Sequence, residues 1–149
     1  MCTAVSYKVN DLYFGRTFDY EASYGEEIVF MPRKYPFNFR YAGNMQEHFA
    51  IIGMAHMADN IPLYYDAMNE KGLCMAGLNF VGNACYSDKH TDGDNILQSE
   101  FIPWILGQCT SVKEARQKLD RICMLSESFN DKLPVSSLHW IISDKEENI

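Results

Sequence analysis

The chain has 149 residues, 47% of them apolar, and a formal net charge of −7. Length and apolar share suit one domain with a buried core, and the negative balance without a basic run excludes nucleic acid as the main partner. No stretch approaches the roughly 18 uncharged apolar residues of a membrane span, and no basic-then-apolar leader opens the chain, so no membrane partner and no export are expected.

The chain opens Met1-Cys2-Thr3. An initiator methionine before a small residue is normally trimmed, which would leave Cys2 with a thiol and a free α-amine. The amine has a reference pKa of about 7.7–8.0 and the thiol one of about 8.5, so the first can take a proton from the second near neutrality. Nucleophile and base then share one residue. An ordinary buried strand cysteine is the alternative.

Thr3 to Val9 and Leu12 to Tyr20 are rich in β-branched and aromatic residues, and Asn10-Asp11 between them predicts a two-residue hairpin turn. In that register Val9 faces Leu12 and Cys2 faces Asp19, close enough for the carboxylate to hold the α-ammonium. Arg16 then points to the opposite face, unless a bulge near Gly15 turns it.

Further along, Glu26 to Met31 reads as a strand broken by Pro32-Arg33-Lys34-Tyr35-Pro36. Phe49 to Ala55 is a continuous apolar run, the mark of a strand covered on both faces. Met57 to Pro62 reads as a loop, a packing lid or a ligand wall. Leu63 to Ala67 and Leu73 to Val81 flank Asn69-Glu70-Lys71-Gly72, a second hairpin in which Gly72 supplies the positive φ.

A helix is expected over Asn95 to Cys109, kinked or restarted at Pro103. Ser111-Val112-Lys113-Glu114 is a capping box ahead of a second helix with Ala115, Leu119, Ile122 and Cys123 on one face. After a polar loop from Ser126 to Pro134, Ser137 to Ser143 is again a strand. Strands, two helices in series and a strand make an α+β layer structure.

The five cysteines (Cys2, Cys74, Cys85, Cys109, Cys123) are odd in number and widely spaced, as in reduced cytoplasmic proteins. No C-x-x-C or H-x-x-x-H spacing occurs, and His48, His56, His90 and His139 fall in different segments, so structural histidines and no metal are expected. The acidic loop of Asp88, Asp92, Asp94 and Asn95 departs from EF-hand spacing and reads as solvated residues with a helix cap.

Several separated motifs, in order, carry a resemblance. They are Met1-Cys2-Thr3, Phe14-Gly15-Arg16-Thr17-Phe18-Asp19-Tyr20, Ala67-Met68-Asn69-Glu70-Lys71-Gly72-Leu73, Ala76-Gly77-Leu78-Asn79-Phe80 and Ile102-Pro103-Trp104-Ile105-Leu106-Gly107. Together they resemble the choloylglycine hydrolase family, which includes bile salt hydrolases and penicillin V acylases. The resemblance implies an N-terminal nucleophile hydrolase of αββα architecture, here truncated to a partial domain over residues 1–149. It implies Cys2 as nucleophile, Arg16 and Asp19 as its electrostatic partners, and Asn79 as an oxyanion-hole amide whose side chain contacts substrate. Asparagine at 79 resembles the bile salt hydrolase branch, because penicillin V acylases typically place tyrosine there.

The implied reaction is hydrolysis of the amide joining a bile acid to glycine or taurine, through an acyl-enzyme and without a cofactor. Phe18, Met57, Ile61, Phe129 and Leu133 are candidates for the steroid pocket, and each is equally a core residue. The family also implies a homo-oligomer, a tetramer. Its members are roughly twice this length, and an asparagine and an arginine of their site normally lie in the half that is absent here. A sheet cut in this way leaves unpaired edges and a bare apolar face. Penicillin V acylase, an inactive fragment acting as a structural or interaction chain, and a thiol redox protein are the alternatives. The last is disfavoured because no resolving cysteine lies near Cys2 in sequence.

Overall fold

A computed structural model of the chain describes residues 2–146 and 149. In order, the elements are β1 (Ala4–Lys8), β2 (Leu12–Arg16), β3 (Glu27–Met31), β4 (Phe37–Phe39), β5 (Gly43–Met45), β6 (Ile51–Ala58), β7 (Ile61–Asn69), β8 (Cys74–Asn79), β9 (Asp94–Leu97), α1 (Phe101–Gln108), α2 (Val112–Leu119), β10 (Ile122–Leu125) and β11 (Leu138–Ser143). Five strands form the main antiparallel sheet in the order β11-β8-β7-β6-β3. Helix α1 packs on one face of it, mainly against β7 and β8. The β1–β2 hairpin lies against the other face, where Ser6 Oγ meets Ser143 Oγ at 2.8 Å.

The core sits between the sheet and α1. Ile51, Ala67, Leu73 and Met75 meet Phe101, Ile102, Ile105 and Leu106 there, all buried. Removing each large side chain of this kind from water is worth about 1.5–3 kcal/mol, which holds a helix of only two turns on the sheet. Asn69 ties the two layers together. Its Nδ2 donates to the carbonyls of Leu106 and Cys109, each at 2.8 Å, and its Oδ1 accepts from Lys71 N at 3.0 Å and Leu73 N at 3.1 Å. The second predicted hairpin is therefore formed as expected, with Gly72 at φ 85, and one side chain serves both its turn and the last carbonyls of α1.

Several sequence expectations give way to the packing. Ile51 to Ala55 is covered on one face only: Ile51 is 0% exposed and its neighbour Ile52 42%. Ile28, Phe30, Ile52 and Met68 together leave a bare apolar patch where the hairpin does not reach. Met57 to Pro62 is not a loop. Asp59 and Asn60 take φ 51 and 62, the tight hairpin turn that Asp and Asn tolerate, and both flanks continue as β6 and β7.

Asn95 to Leu97 is strand, paired in parallel with β10, so the helix starts only at Phe101. Pro103 then falls in its first turn, where the missing N–H has no intrahelical partner to lose. The capping box forms in a shifted version. Ser111 Oγ accepts from Glu114 N at 3.3 Å, while Glu114 Oε2 reaches back to Thr110 N at 2.7 Å. Ile122 and Cys123 belong to β10, and Leu119 is exposed, so the buried face of α2 is Val112 and Ala115.

Candidate active site

The hairpin that carries Cys2 is one residue out of the predicted register. Lys8 pairs with Leu12 and Ala4 with Arg16, which makes the loop three residues, Val9-Asn10-Asp11. Continuing the ladder, Thr17 N donates to Thr3 O at 2.8 Å, and Cys2 falls opposite Phe18 instead of Asp19. Side chains alternate with period two, so this single step exchanges the faces. Cys2 and Arg16 now share the inward face without a bulge at Gly15.

Asp19 meets the nucleophile through its main chain. The Cys2 thiol donates to the Asp19 carbonyl at 3.9 Å. The Asp19 carboxylate accepts from Thr17 Oγ1 at 2.9 Å, and the same hydroxyl accepts from Thr3 N at 3.0 Å. Asp19 thus braces the strand that presents Cys2. Met1, whose removal the sequence predicts, lies outside the described residues.

Arg16 reaches from the hairpin to the main sheet. Its side chain is 5% exposed; Nη2 donates to Gly77 O at 3.1 Å, Nη1 lies 3.6 Å from Asp66 Oδ2, and the guanidinium sits 4.7 Å from the Phe18 ring centroid. Among the described residues Nε and Nη1 make no hydrogen bond, and Nη1 has only its longer ion pair with Asp66. Partial burial pushes the Cys2 thiol up, but main-chain hydrogen bonds at Asp19 and Asn79 together with the Arg16 charge outweigh it, so the thiol lies below its ordinary range. Asn79 is the exposed last residue of β8, and its main chain reaches the Cys2 thiol. Burial raises the Asp66 carboxyl against the pull of Arg16.

Cys2, Arg16 and Asn79 open into a cleft of about 380 Å³. Of the predicted pocket residues, Phe18, Phe129 and Leu133 line it. Met57 and Ile61 do not: they sit at the tip of the β6–β7 hairpin by the Asp59-Asn60 turn, beyond the His56–Leu63 pair that still lines the cleft. Tyr20, Tyr24, His56 and Tyr65 form a wall that sequence reasoning missed. Tyr24 Oη donates to Tyr20 Oη at 2.9 Å, Tyr24 stacks on His56, and His56 Nδ1 shares a hydrogen bond of 2.8 Å with Tyr65 Oη. The signal for it was the density of tyrosines around Asp19 and in Tyr64-Tyr65-Asp66. Among the described residues no group of three or more His, Cys, Asp or Glu is placed to hold a metal.

The model of the linear amide C-N hydrolases, choloylglycine hydrolase family, matches residues 2–149. The chain belongs to that family. The bile salt hydrolase/transferase of Lactiplantibacillus plantarum is 50% identical over 149 residues, which is 100% of this chain and 46% of the relative. Among solved structures, the C2A mutant of the conjugated bile acid hydrolase from Clostridium perfringens superposes with a TM-score of 0.91 at 32% identity, over 99% of this chain and 46% of that one. Penicillin V acylase from Agrobacterium tumefaciens superposes with a TM-score of 0.71 at 18% identity, over 99% and 46%, a likeness of fold. The architecture is therefore that of the N-terminal nucleophile hydrolases, and the chain spans about half the length of the relatives it matches.

Proposed function

We propose that this chain carries the nucleophile-bearing half of an enzyme that hydrolyses the amide bond of glycine- or taurine-conjugated bile salts. One observation carries the reading: a cysteine thiol held below its ordinary range by main-chain hydrogen bonds and by Arg16, at the mouth of an aromatic cleft. With Met1 removed, the Cys2 α-amine takes the thiol proton and the thiolate attacks the amide carbonyl. The Asn79 amide faces the developing oxyanion, where one such donor is worth about 10²–10³ in rate. The protonated amine then passes its proton to the departing glycine or taurine nitrogen, and activates the water that frees the bile acid. Phe18, Phe129 and Leu133 offer the steroid an apolar bed. Asp19 braces the Cys2 strand through Thr17.

Five free cysteines support a reduced, cytoplasmic setting. A second reading, in which the chain is silent alone and acts as a structural partner in a homo-oligomer or with another chain, is favoured by the bare patch of Ile28, Phe30, Ile52 and Met68. The test compares glycine release from glycocholate with phenoxyacetate release from penicillin V, using folded chain with a free Cys2 amine. Faster glycocholate turnover, abolished by Cys2→Ala, is expected. Preference for penicillin V moves the chain to the acylase branch, and no turnover of either leaves the structural reading.

A further inference from the structure

The structure assigns to Asp66 a positioning role: from β7 it holds the Arg16 guanidinium beneath the Cys2 thiol, although it touches neither the thiol nor the reacting amide. Three observations carry it. Asp66 interrupts an otherwise apolar and aromatic strand, Tyr64-Tyr65-Asp66-Ala67-Met68. Its Oδ2 lies 3.6 Å from Arg16 Nη1, and it is the one acidic side chain among the described residues ion-paired with that buried guanidinium. The hydrogen bond of Arg16 goes to Gly77 O at 3.1 Å, a neutral acceptor on the neighbouring strand, and the Phe18 ring packs against the group at 4.7 Å. One hydrogen bond beside a ring leaves the guanidinium free to turn about Nη2, whereas a second, charged anchor on β7 limits that turn and sets its plane.

That plane decides which way Nε points. Nε is buried and makes no hydrogen bond among the described residues, so its direction is set by the anchors at the other end of the group. The Asp66 charge itself opposes a thiolate, hence removing it has two effects of opposite sign. Loss of a damping charge lowers the thiol pKa; loss of Arg16 alignment raises it. The positioning role requires the second to win.

The role rests on the Cys2 chemistry proposed above, but it is read at the thiol without substrate. The measurement is the pH profile of iodoacetamide alkylation of the 149-residue chain, followed at the Cys2-containing peptide, with exposed Cys85 as internal reference. Other titratable groups facing the cleft are Tyr20, Tyr24, His56, Tyr64, Tyr65 and Lys132, and none is altered by the substitutions. In Asp66→Asn the Cys2 midpoint is expected to rise by about one unit, within the range an aligned cation supplies. In an Arg16→Leu background the same change is expected to give no rise, and only the small fall that loss of the Asp66 charge brings, while Asp66→Glu is expected to retain most of the wild-type profile. A midpoint that falls or stays put in folded Asp66→Asn overturns the role, as does an undiminished shift without Arg16. If Asp66→Asn does not fold, Asp66→Glu and the Arg16→Leu pair decide by the same criterion. Absence of glycocholate hydrolysis in the wild-type chain would count against the proposed function and leave this profile readable.

Discussion

The Arg16 guanidinium donates through Nη2 to the main-chain carbonyl of Gly77 at 3.1 Å, and this bond fastens the Cys2 hairpin to the central sheet. The two strands belong to different sheets, so the position of the thiol over β8 depends on a side chain that also supplies its positive field. Arg16→Leu is expected to raise the Cys2 thiol midpoint and slow its alkylation at neutral pH severalfold. It also leaves the partly buried Asp66 without a counterion, for a stability loss of about 1–3 kcal/mol in urea unfolding. Unchanged alkylation would mean that the main chain alone activates the thiol.

Asn69 is 2% exposed and makes four hydrogen bonds, two to α1 carbonyl groups and two to its own turn. Asn69→Ala leaves all four groups without this partner, three of them in buried bonds. A destabilisation of about 2–4 kcal/mol is expected, from an unmet penalty of about 1–3 kcal/mol for each group that water cannot reach. Asn69→Asp keeps the acceptor but loses both donors and should be no better. Chemical denaturation of the two variants checks the ranking, and a loss under about 1 kcal/mol in both would show that α1 is held by apolar contact alone.

Glu70 makes stability depend on acid. Its carboxylate accepts from Arg33 Nε at 2.8 Å, from Arg33 Nη2, and from Ala50 N at 2.9 Å, and these bonds, that to Arg33 foremost, lower its pKa from 4.5 to about 2. Because the folded value lies below the unfolded one, the contribution is complete above about pH 4.5 and fades as the pH falls to about 2. Glu70→Gln is therefore expected to be less stable than wild type at neutral pH, with the two converging across that window. Parallel melting curves at constant difference down to pH 2 would contradict it.

Arg40 holds the wall of the cleft from outside. Its Nη1 donates to Ser128 O at 2.9 Å and its Nη2 to Phe129 O, while Glu127 pairs with Arg40 at 3.7 Å and with His90 at 3.5 Å. Arg40→Ala should loosen the loop that carries Phe129 and Leu133 without touching Cys2. The expected signature is a rise in KM for glycocholate of about three- to tenfold, the scale of roughly 1 kcal/mol in binding, with Cys2 alkylation unchanged. Equal losses in both readouts would place Arg40 in the general stability of the fold.

Much of this was legible in the sequence where local chemistry decides the structure. Asn69-Glu70-Lys71-Gly72 forms its turn because Gly72 takes a positive φ. That Arg16 and Asn79 belong with Cys2 came from the family resemblance and not from local chemistry, since the expected hairpin register put Arg16 on the far face; the three line one cleft. What escaped was set by tertiary contact. Asn10-Asp11 was too short a loop by one residue, a difference invisible to composition, yet it swapped the faces of Arg16 and Asp19. Asn95 to Leu97 has a helical pattern of apolar residues but becomes a strand, because β10 offers it a partner. Ile52 looked buried because its run is apolar, and no residue spacing says that only one face is covered. Asp66 was passed over as a polar residue in a strand, and its meaning came only from the guanidinium brought to it across two sheets.

The most direct test of the Cys2 mechanism is the intact mass of folded chain with a free Cys2 amine, quenched in acid within its first turnovers of glycocholate. The expected result is a cholyl adduct mapping to Cys2, formed together with released glycine and absent in Cys2→Ala. Glycine release that survives Cys2→Ala, or an adduct on another residue, would contradict an acyl-enzyme at this thiol.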